Sequence, residues 1–243
     1  MPRSAMQTPA GARIVLSVRD LNAWYGELQA LFGISFHIGQ GEVVGLTGRN
    51  GAGKTTTLRA IMGLVSRQTG AVCHMGRDVS ALPPYARARL GIGYCPEERA
   101  IFSSLTVREN LALPPGVAPD PISEADLFRL FPNLKNRLHH LGGQLSGGEQ
   151  QMLAIARILR TGARMLIFDE PTGGLAPVLV AAIERVLQEL KSRGYTILLV
   201  EQNLDFVLRL ADRVVLIERG TVVNEGMAGN ETSRKRLAEQ LAL

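Results

Sequence analysis

Hydrophobic residues in this chain are grouped in short runs, separated by longer stretches with helical spacing. The runs are shorter than an ordinary helix, and the later ones are rich in valine, isoleucine and leucine. Runs of this kind are typical of strands in a sheet that is covered on both faces. The pattern predicts strands at residues 14–21, 34–38, 42–46, 165–168, 196–200 and 214–217.

Helices are predicted after the third strand and between the last three strands. Residues 178–193 carry apolar side chains on one helical face, begin after Pro177 and end before Gly194, which are common residues at the two ends of a helix. Residues 54–64 and 204–210 are also predicted to be helical. Strands that alternate with helices in this way predict a parallel sheet.

The middle of the chain, roughly residues 78–160, has a different pattern that is punctuated by prolines and largely helical. Residues 106–109 and 123–126 each begin with a hydroxyl side chain and end with an acidic one, which is a common start of a helix. We interpret this stretch as a helical lobe inserted into the sheet domain. Residues 14–243 are then one domain, preceded by a polar tail at residues 1–13.

Composition limits the class of protein without identifying it. The chain has 243 residues, 46% hydrophobic and 20% charged, which is enough for one domain with a sizeable core. Its net charge of +5 suits an anionic partner, but the arginines are scattered, so we expect no nucleic acid partner. No stretch approaches the ~18 consecutive apolar residues of a membrane span.

Cysteine and histidine residues give no sign of a metal site. Cys73 and Cys95 have neither metal-binding nor redox spacing, which is consistent with a reducing compartment. His37 alternates with apolar residues in a predicted strand, and this alternation predicts a surface position rather than a ligand. The N-terminal residues lack the apolar segment of a signal peptide.

A glycine-rich loop stands between the third predicted strand and the helix after it. Glycines allow backbone N–H groups to curl around phosphate oxygens, and the following helix N-terminus adds positive potential. Lys54 can reach the β- and γ-phosphates, and the Thr55 hydroxyl can bind Mg²⁺. The alternative is an ordinary glycine turn with a chance Lys-Thr pair, which the flanking strand and helix disfavour. The predicted nucleotide-binding residues fit GxxxxGK[ST] and continue by one position: Gly48, Arg49, Asn50, Gly51, Ala52, Gly53, Lys54, Thr55 and Thr56.

Two carboxylates follow the predicted strand at residues 165–168. Asp169 is placed to hold Mg²⁺ through its water shell, and Glu170 is placed to orient the attacking water towards the γ-phosphate. On its own, a strand that ends in Asp-Glu is commonplace. In combination with the phosphate loop, the pair predicts hydrolysis of a nucleoside triphosphate.

The sequence Leu-Ser-Gly-Gly-Glu-Gln at residues 145–150 precedes a long predicted helix. Ser146 and Glu149 have the spacing of a capping box, so the simplest interpretation is a well-started helix. Two glycines in the first turn argue against that interpretation alone, because glycine costs ~1 kcal/mol in a helix. Gly147 and Gly148 instead suggest a backbone that closely approaches an anion at an exposed helix N-terminus.

These motifs together resemble those of the ATP-binding cassette (ABC) ATPases, over essentially the whole chain after residue 13. The resemblance implies an α/β fold, a P-loop NTPase of the ABC ATPase type with an antiparallel β subdomain and an inserted helical lobe. It implies that ATP and Mg²⁺ are bound and that Tyr25 stacks on adenine. It also implies that Ser146, Gly147 and Gly148 contact the nucleotide held by the phosphate loop of another subunit.

Within this superfamily, the chain most resembles the second ATPase subunit of branched-chain amino-acid importers and of related urea and amide importers. The likeness implies ATP hydrolysis that powers import, with transmembrane permease subunits and a separate solute-binding protein as partners. A sister ATPase subunit, or a second copy of this chain, would complete a head-to-tail dimer. The location implied is cytoplasmic, peripheral on the inner face of the cell membrane. The segments that carry this likeness are residues 91–94, 130–135, 148–155, 174–177 and 199–203.

Three positions depart from the general ABC pattern. Glu97 stands where most members have a glutamine that touches Mg²⁺ and faces the permease, so Glu97 is a candidate metal ligand beside Thr55 and Asp169. Ala176 replaces an aspartate in the loop after the catalytic glutamate. Gln202 replaces the switch histidine and is expected to contact the γ-phosphate. The importer subfamily commonly carries the last two changes.

The main alternative is a soluble ABC ATPase of DNA repair, translation or iron–sulfur assembly. Repair types separate the two nucleotide motifs by long coiled coils, whereas Lys54 and Ser146 here lie about 92 residues apart without heptads. Translation types carry two cassettes in one chain, and this chain carries one. An iron–sulfur assembly ATPase of similar size remains open at this point. A non-hydrolysing ATP switch is disfavoured by the presence of Glu170.

Overall fold

The structure is a computed structural model that describes residues 13–118 and 121–242. All but the last residue of the predicted N-terminal tail lies outside the described residues. The strands are β1 (Ile14–Tyr25), β2 (Leu28–Gly39), β3 (Val43–Thr47), β4 (Arg67–His74), β5 (Arg77–Asp78), β6 (Ile92–Cys95), β7 (Met165–Asp169), β8 (Thr196–Val200), β9 (Arg213–Glu218) and β10 (Thr221–Met227). The helices are α1 (Lys54–Met62), α2 (Pro84–Arg89), α3 (Val107–Ala112), α4 (Glu124–Leu130), α5 (Pro132–Lys135), α6 (Gly147–Arg160), α7 (Pro177–Ser192), α8 (Leu204–Leu210) and α9 (Glu231–Ala242).

A six-stranded sheet forms the centre of the molecule, with the strand order β10-β9-β3-β8-β7-β6. Strands β9, β3, β8, β7 and β6 pair in parallel, and β10 pairs with β9 in antiparallel fashion. Every residue of β3, β7 and β8 is buried, as expected for strands covered on both faces. The predicted parallel sheet is confirmed.

Alternate residues of the central strands face two separate apolar clusters. In β7, Leu166 and Phe168 pack with the helices α6 and α7 on one face. Met165 and Ile167 pack on the other face with α1 and with an antiparallel sheet of order β2-β1-β4-β5. Because each face of the parallel sheet is covered by a different layer, its strand ends are left at the edge between the layers.

The structure corrects several predicted boundaries. Strands β1 and β2 are longer than predicted, because their outer halves are partly exposed and lack a continuous apolar run. Strand β6 lies inside residues 78–160, the stretch interpreted as a helical lobe, yet it pairs with β7 in the central sheet. It was missed because it has only four residues and includes Gly93, where Leu166 and Ala163 leave little room for a side chain. Within residues 78–160, the first helix that packs away from the central sheet is α3.

A buried ionic network joins the two sheets. The Arg213 side chain in β9 donates from Nε to Glu42 Oε1 at 2.8 Å and from Nη2 to the His37 carbonyl of β2 at 2.6 Å. Its Nη1 pairs with Glu225 in β10. His37 is only 4% exposed, so its predicted surface position is wrong. Burial, and then Arg213, lower the pKa of His37 below its ordinary value, which favours a neutral imidazole.

Replacing Arg213 with alanine is expected to destabilise the fold. Arg213→Ala leaves Glu42 and Glu225 partly buried without their counter-charge, a change that typically costs ~3–5 kcal/mol. Urea unfolding followed by circular dichroism measures the free energy of unfolding. Lys235→Ala, at a side chain that is 73% exposed, is the control and should change it by less than about 0.5 kcal/mol. A loss below about 1 kcal/mol for Arg213→Ala would contradict the role of this network.

Candidate functional site

The candidate site is a cleft at the carboxyl ends of β3, β7 and β8, with a volume of about 580 Å³. The parallel register places Leu46, Val200 and Asp169 side by side, so the loops that follow the three strands meet at one edge. One wall comes from β2 of the antiparallel sheet. The cleft is lined by Leu28, Gln29, Ala30, Phe32, Asn50, Gly51, Gly53, Lys54, Thr55, Thr56, Glu97, Glu170, Gln202 and Arg219.

The glycine loop turns tightly between β3 and α1. A Cβ atom at Gly48 would lie 2.2 Å from the carbonyl oxygen of Ile217, which leaves no space for a side chain. Gly53 caps α1 with a left-handed backbone (φ +106°), a conformation that glycine adopts without cost. Ala52 is tied to the β9–β10 turn, because its carbonyl accepts a hydrogen bond from the Gly220 N–H at 2.8 Å. The loop is therefore held in shape from both sides.

Lys54 is buried at the base of the loop and is 5% exposed. Its Nζ donates to the carbonyls of Gly48 at 3.0 Å and Arg49 at 3.2 Å, and it lies 3.6 Å from Glu170 Oε1. A buried ammonium without an ionic partner is costly, and these contacts offset that cost. The charge is thus held at the floor of the cleft, within reach of an anionic ligand.

Asp169, the last residue of β7, lies beside Thr55. The Thr55 hydroxyl donates to Asp169 Oδ1 at 3.1 Å, and the Tyr94 hydroxyl donates to Oδ2 at 3.3 Å. Burial raises the pKa of Asp169 from its ordinary 3.8 to about 6, and the charge of Glu170 adds to this increase. Sequence analysis missed Tyr94, since its phenol reaches Asp169 only through the pairing of β6 with β7.

Glu170 follows Asp169 with a left-handed backbone (φ +46°), which is rare for a residue with a side chain. Its N–H donates to the Val200 carbonyl at 2.9 Å, so the turn is anchored on β8. Its carboxylate receives a hydrogen bond from Gln202 Nε2 at 2.8 Å. The two predicted residues Glu170 and Gln202 are therefore in direct contact, with Lys54 on the other carboxylate oxygen.

Glu201 is a further carboxylate that sequence analysis did not single out. It lies directly after β8, is 3% exposed and accepts hydrogen bonds from the backbone and the hydroxyl of Thr172. The available signal was a charged residue directly after the apolar run at residues 197–200.

Glu97 and Tyr25 differ in their relation to the cleft. Glu97 lines the cleft, and its role as a metal ligand stays a prediction. Tyr25 ends β1, is 42% exposed and lies outside the lining residues. The exposed apolar side chains at this end of the cleft are Leu28 and Phe32.

Ser146 caps α6 in the predicted way, and the capping box with Glu149 is confirmed. The Ser146 hydroxyl accepts from the Glu149 N–H at 3.3 Å, while the Ser146 N–H donates to Glu149 Oε2 at 2.8 Å. Residues 146–148 do not line the cleft of their own chain. A Cβ atom at Gly148 would lie 2.3 Å from Leu179 Cδ1 of α7, so a side chain here would have to displace the end of that leucine.

The donor set beside the phosphate loop fits Mg²⁺, which takes few protein ligands and keeps waters and phosphate oxygens in its coordination shell. The Thr55 hydroxyl and the Asp169 carboxylate, 3.1 Å apart, are such ligands. Within residues 13–118 and 121–242, no group of three or more histidine, cysteine, aspartate or glutamate side chains is arranged to hold a metal ion.

None of the described helices has both the length and the apolar character needed to cross a bilayer.

A glycine loop between a parallel strand and a helix, with an acidic pair at the end of a nearby strand, defines the class of P-loop nucleoside triphosphatases. The family model that matches this chain, at residues 31–173, is that of the ABC transporter. A solved dimeric structure of a bacterial ABC transporter cassette has a TM-score of 0.76 and 25% identity to the chain, covering 88% of it and 98% of that cassette.

Three curated relatives are similar over most of their length. The chain is 40% identical to the high-affinity branched-chain amino acid transport ATP-binding protein BraG of Pseudomonas aeruginosa, over 86% of the chain and 91% of BraG. It is 38% identical to LivF of Archaeoglobus fulgidus, a probable branched-chain amino acid transport ATP-binding protein, over 94% of the chain and 98% of LivF. It is 33% identical to the lipopolysaccharide export system ATP-binding protein LptB of Haemophilus influenzae, over 94% of the chain and 99% of LptB.

The chain belongs to the ATP-binding subunits of ABC transporters, which are ATPases. The resemblance stated from the sequence, the predicted fold class and the predicted class of enzyme are confirmed. The relatives named above are transport proteins, which disfavours the iron–sulfur assembly alternative.

The raised pKa of Asp169 leads to a pH-dependent stability. The Asp169 carboxyl keeps its proton up to about pH 6 in the folded state, whereas it releases the proton near pH 3.8 in the unfolded chain. This difference stabilises the fold at low pH, and the stabilisation is lost as the pH rises through about 6. Between about pH 4 and pH 7, the wild type should lose up to about 3 kcal/mol relative to Asp169→Asn. Denaturant unfolding at several pH values measures this difference. Glu239→Gln on the exposed face of α9 is the control. Parallel curves for wild type and Asp169→Asn would contradict the prediction.

Proposed function

We propose that this chain is the ATP-hydrolysing subunit of a membrane importer for branched-chain amino acids or related small polar solutes. The observation that carries the proposal is the set of contacts around Glu170. Lys54 Nζ lies 3.6 Å from one carboxylate oxygen, and Gln202 donates to the other at 2.8 Å. A carboxylate held in this way beside a phosphate loop is suited to accept a proton from an attacking water.

The phosphate loop supplies the binding of ATP. The backbone N–H groups of Gly48, Arg49, Asn50, Gly51, Ala52, Gly53, Lys54, Thr55 and Thr56 surround the phosphates in this proposal. The Lys54 ammonium, which donates to the carbonyls of Gly48 and Arg49, would also bind the β- and γ-phosphates. Tyr25, exposed beyond the cleft at the end of β1, stacks on adenine once the base extends that far.

Thr55 and Asp169 would hold Mg²⁺, with Glu97 at the third candidate position. The ion would neutralise negative charge on the β- and γ-phosphates. Its positive charge also favours the ionised form of the Asp169 carboxyl, whose pKa burial raises to about 6. Glu170 then positions the attacking water, and the Gln202 amide keeps the Glu170 carboxylate directed towards the phosphate.

Ser146, Gly147 and Gly148 are proposed to bind the nucleotide of another subunit. They lie outside the cleft of their own chain, and Ser146 is exposed at the N-terminus of α6. A head-to-tail dimer, with a sister ATPase or with a second copy of this chain, brings that N-terminus to the γ-phosphate. The likeness to a solved dimeric cassette supports this arrangement.

The remaining partners follow from transport itself. Transmembrane permease subunits and a separate solute-binding protein complete the importer, and this chain works on the cytoplasmic side as a peripheral subunit of the inner face of the membrane. The identities to BraG and LivF, at 40% and 38%, support branched-chain amino acids as the transported solutes. The identity to LptB is lower, at 33%, which favours import over export.

Two substitutions should separate hydrolysis from binding. Glu170→Gln removes the proton acceptor but leaves the phosphate loop intact, so phosphate release should fall by about a hundredfold or more while ATP affinity is unchanged. Lys54→Ala removes a charge-assisted contact to phosphate and should weaken ATP binding ~10–100-fold. Phosphate release and calorimetric titration measure the two effects. The control is Glu218→Gln, at the end of β9, where the side chain is 59% exposed. Near-normal hydrolysis by Glu170→Gln would refute its proposed role.

Deleting the gene should abolish uptake of labelled leucine by intact cells. Wild-type chain supplied from a plasmid should restore uptake, and Glu170→Gln should fail to do so because the importer can no longer use ATP. Glucose uptake in the same strains is the control. If leucine, isoleucine and valine uptake all continue at the normal rate after deletion, the proposed class of solute is wrong.

A further inference from the structure

Glu201 is placed unusually for a carboxylate. It follows the fully buried strand β8 and is itself only 3% exposed. Removing an ionisable group from water is costly unless donors surround it, and burial raises the pKa of Glu201 while hydrogen bonds from Thr172 oppose that increase. An apolar side chain would serve better if the position only filled space in the core.

Three donors point at this carboxylate, and they come from two different loops. Oε1 accepts from the Thr172 N–H at 3.0 Å and from the Thr172 hydroxyl at 2.5 Å. Oε2 accepts from the Gln202 N–H at 3.2 Å. One oxygen therefore binds the loop after β7, and the other binds the loop after β8.

The same two loops carry the pair at the centre of the proposed reaction. Thr172 lies two residues after Glu170, and the Gly173 N–H donates back to the Glu170 carbonyl at 3.1 Å. Gln202 is next to Glu201 and donates through its side chain to Glu170 Oε2 at 2.8 Å. The contacts form a closed ring from Glu201 through Thr172 to Glu170, and through Gln202 back to Glu201.

We propose that Glu201 is a positioning residue that bridges these two loops and so fixes the Gln202 amide against the Glu170 carboxylate; this inference rests on the proposed ATPase function. Glu201 lines no part of the cleft and touches no reacting group in this proposal. A carboxylate suits the task because it has two acceptor oxygens and no donor. Glutamine would turn an NH₂ group towards the N–H of Thr172 or of Gln202, and neither of these N–H groups can accept a hydrogen bond.

The test measures steady-state hydrolysis by purified chains with ATP and Mg²⁺. Glu201→Gln should lower kcat on the order of tenfold, the effect of one lost charge-assisted hydrogen bond, while ATP affinity by calorimetric titration stays unchanged. Because Glu201 acts through Gln202, the same substitution made in a Gln202→Ala chain should change kcat by less than about twofold. A purely structural role would give the full loss in both backgrounds.

Thr172 provides matched variants of the bridge. Thr172→Val removes the hydroxyl donor and should lower kcat in the same direction, whereas Thr172→Ser keeps the donor and should retain wild-type turnover. Unchanged kcat in Glu201→Gln, or an equal loss with and without Gln202, would overturn the inference. Absence of hydrolysis by the wild-type chain would instead contradict the proposed function, so the two failures are distinguishable.

Discussion

The parallel pairing of β3, β8 and β7 is the constraint on which the rest of this molecule depends. Each strand is buried along its whole length, because helices cover one face and the antiparallel sheet covers the other. A shift of register by one residue would turn the apolar side chains of a strand to the wrong cluster. The register therefore aligns the carboxyl ends of the strands, and the glycine loop, the acidic pair and Gln202 meet at one edge.

That edge concentrates negative charge around one buried cation. Three carboxylates lie at the ends of the neighbouring strands β7 and β8, with Lys54 at the floor of the cleft: Asp169, Glu170 and Glu201. The fold accepts a raised Asp169 pKa and a left-handed backbone at Glu170, both of which cost stability. Such costs are typical of functional sites, where the geometry needed for chemistry departs from the geometry of lowest energy.

Close packing and ligand recognition make separate demands on α6. Gly148 leaves room for Leu179 of α7, and this packing within the chain favours a glycine whether or not a second subunit is bound. Ser146 is hydrogen-bonded to Glu149 in the capping box, yet its side chain remains exposed at the helix N-terminus. The atoms nearest to a Cβ at Gly147 belong to the flexible guanidinium of Arg99, with Nη1 at 3.3 Å. In the proposed dimer, Ser146 and Gly147 are therefore free to meet a phosphate.

Contiguous features were determined by the sequence alone. The phosphate loop, the acidic pair at the end of β7 and the capping box of α6 each depend on residues within a few positions of one another, and most of the buried strands show as short, largely apolar runs. Local backbone geometry and local periodicity suffice for such features. These patterns carried the α/β class with its parallel sheet and half of the residues that line the cleft, whereas Glu97 and Gln202 came from the family resemblance.

Contacts between distant segments were decided only by the tertiary structure. Gln202 and Glu170 are 32 residues apart along the chain, and Thr172 and Glu201 are 29 apart, so no local pattern could pair them. His37 is buried in one sheet, and its carbonyl accepts a hydrogen bond from Arg213, which lies far along the chain in the other sheet. A single sequence shows which side chains are available, but the packing of its layers decides which of them share a hydrogen bond.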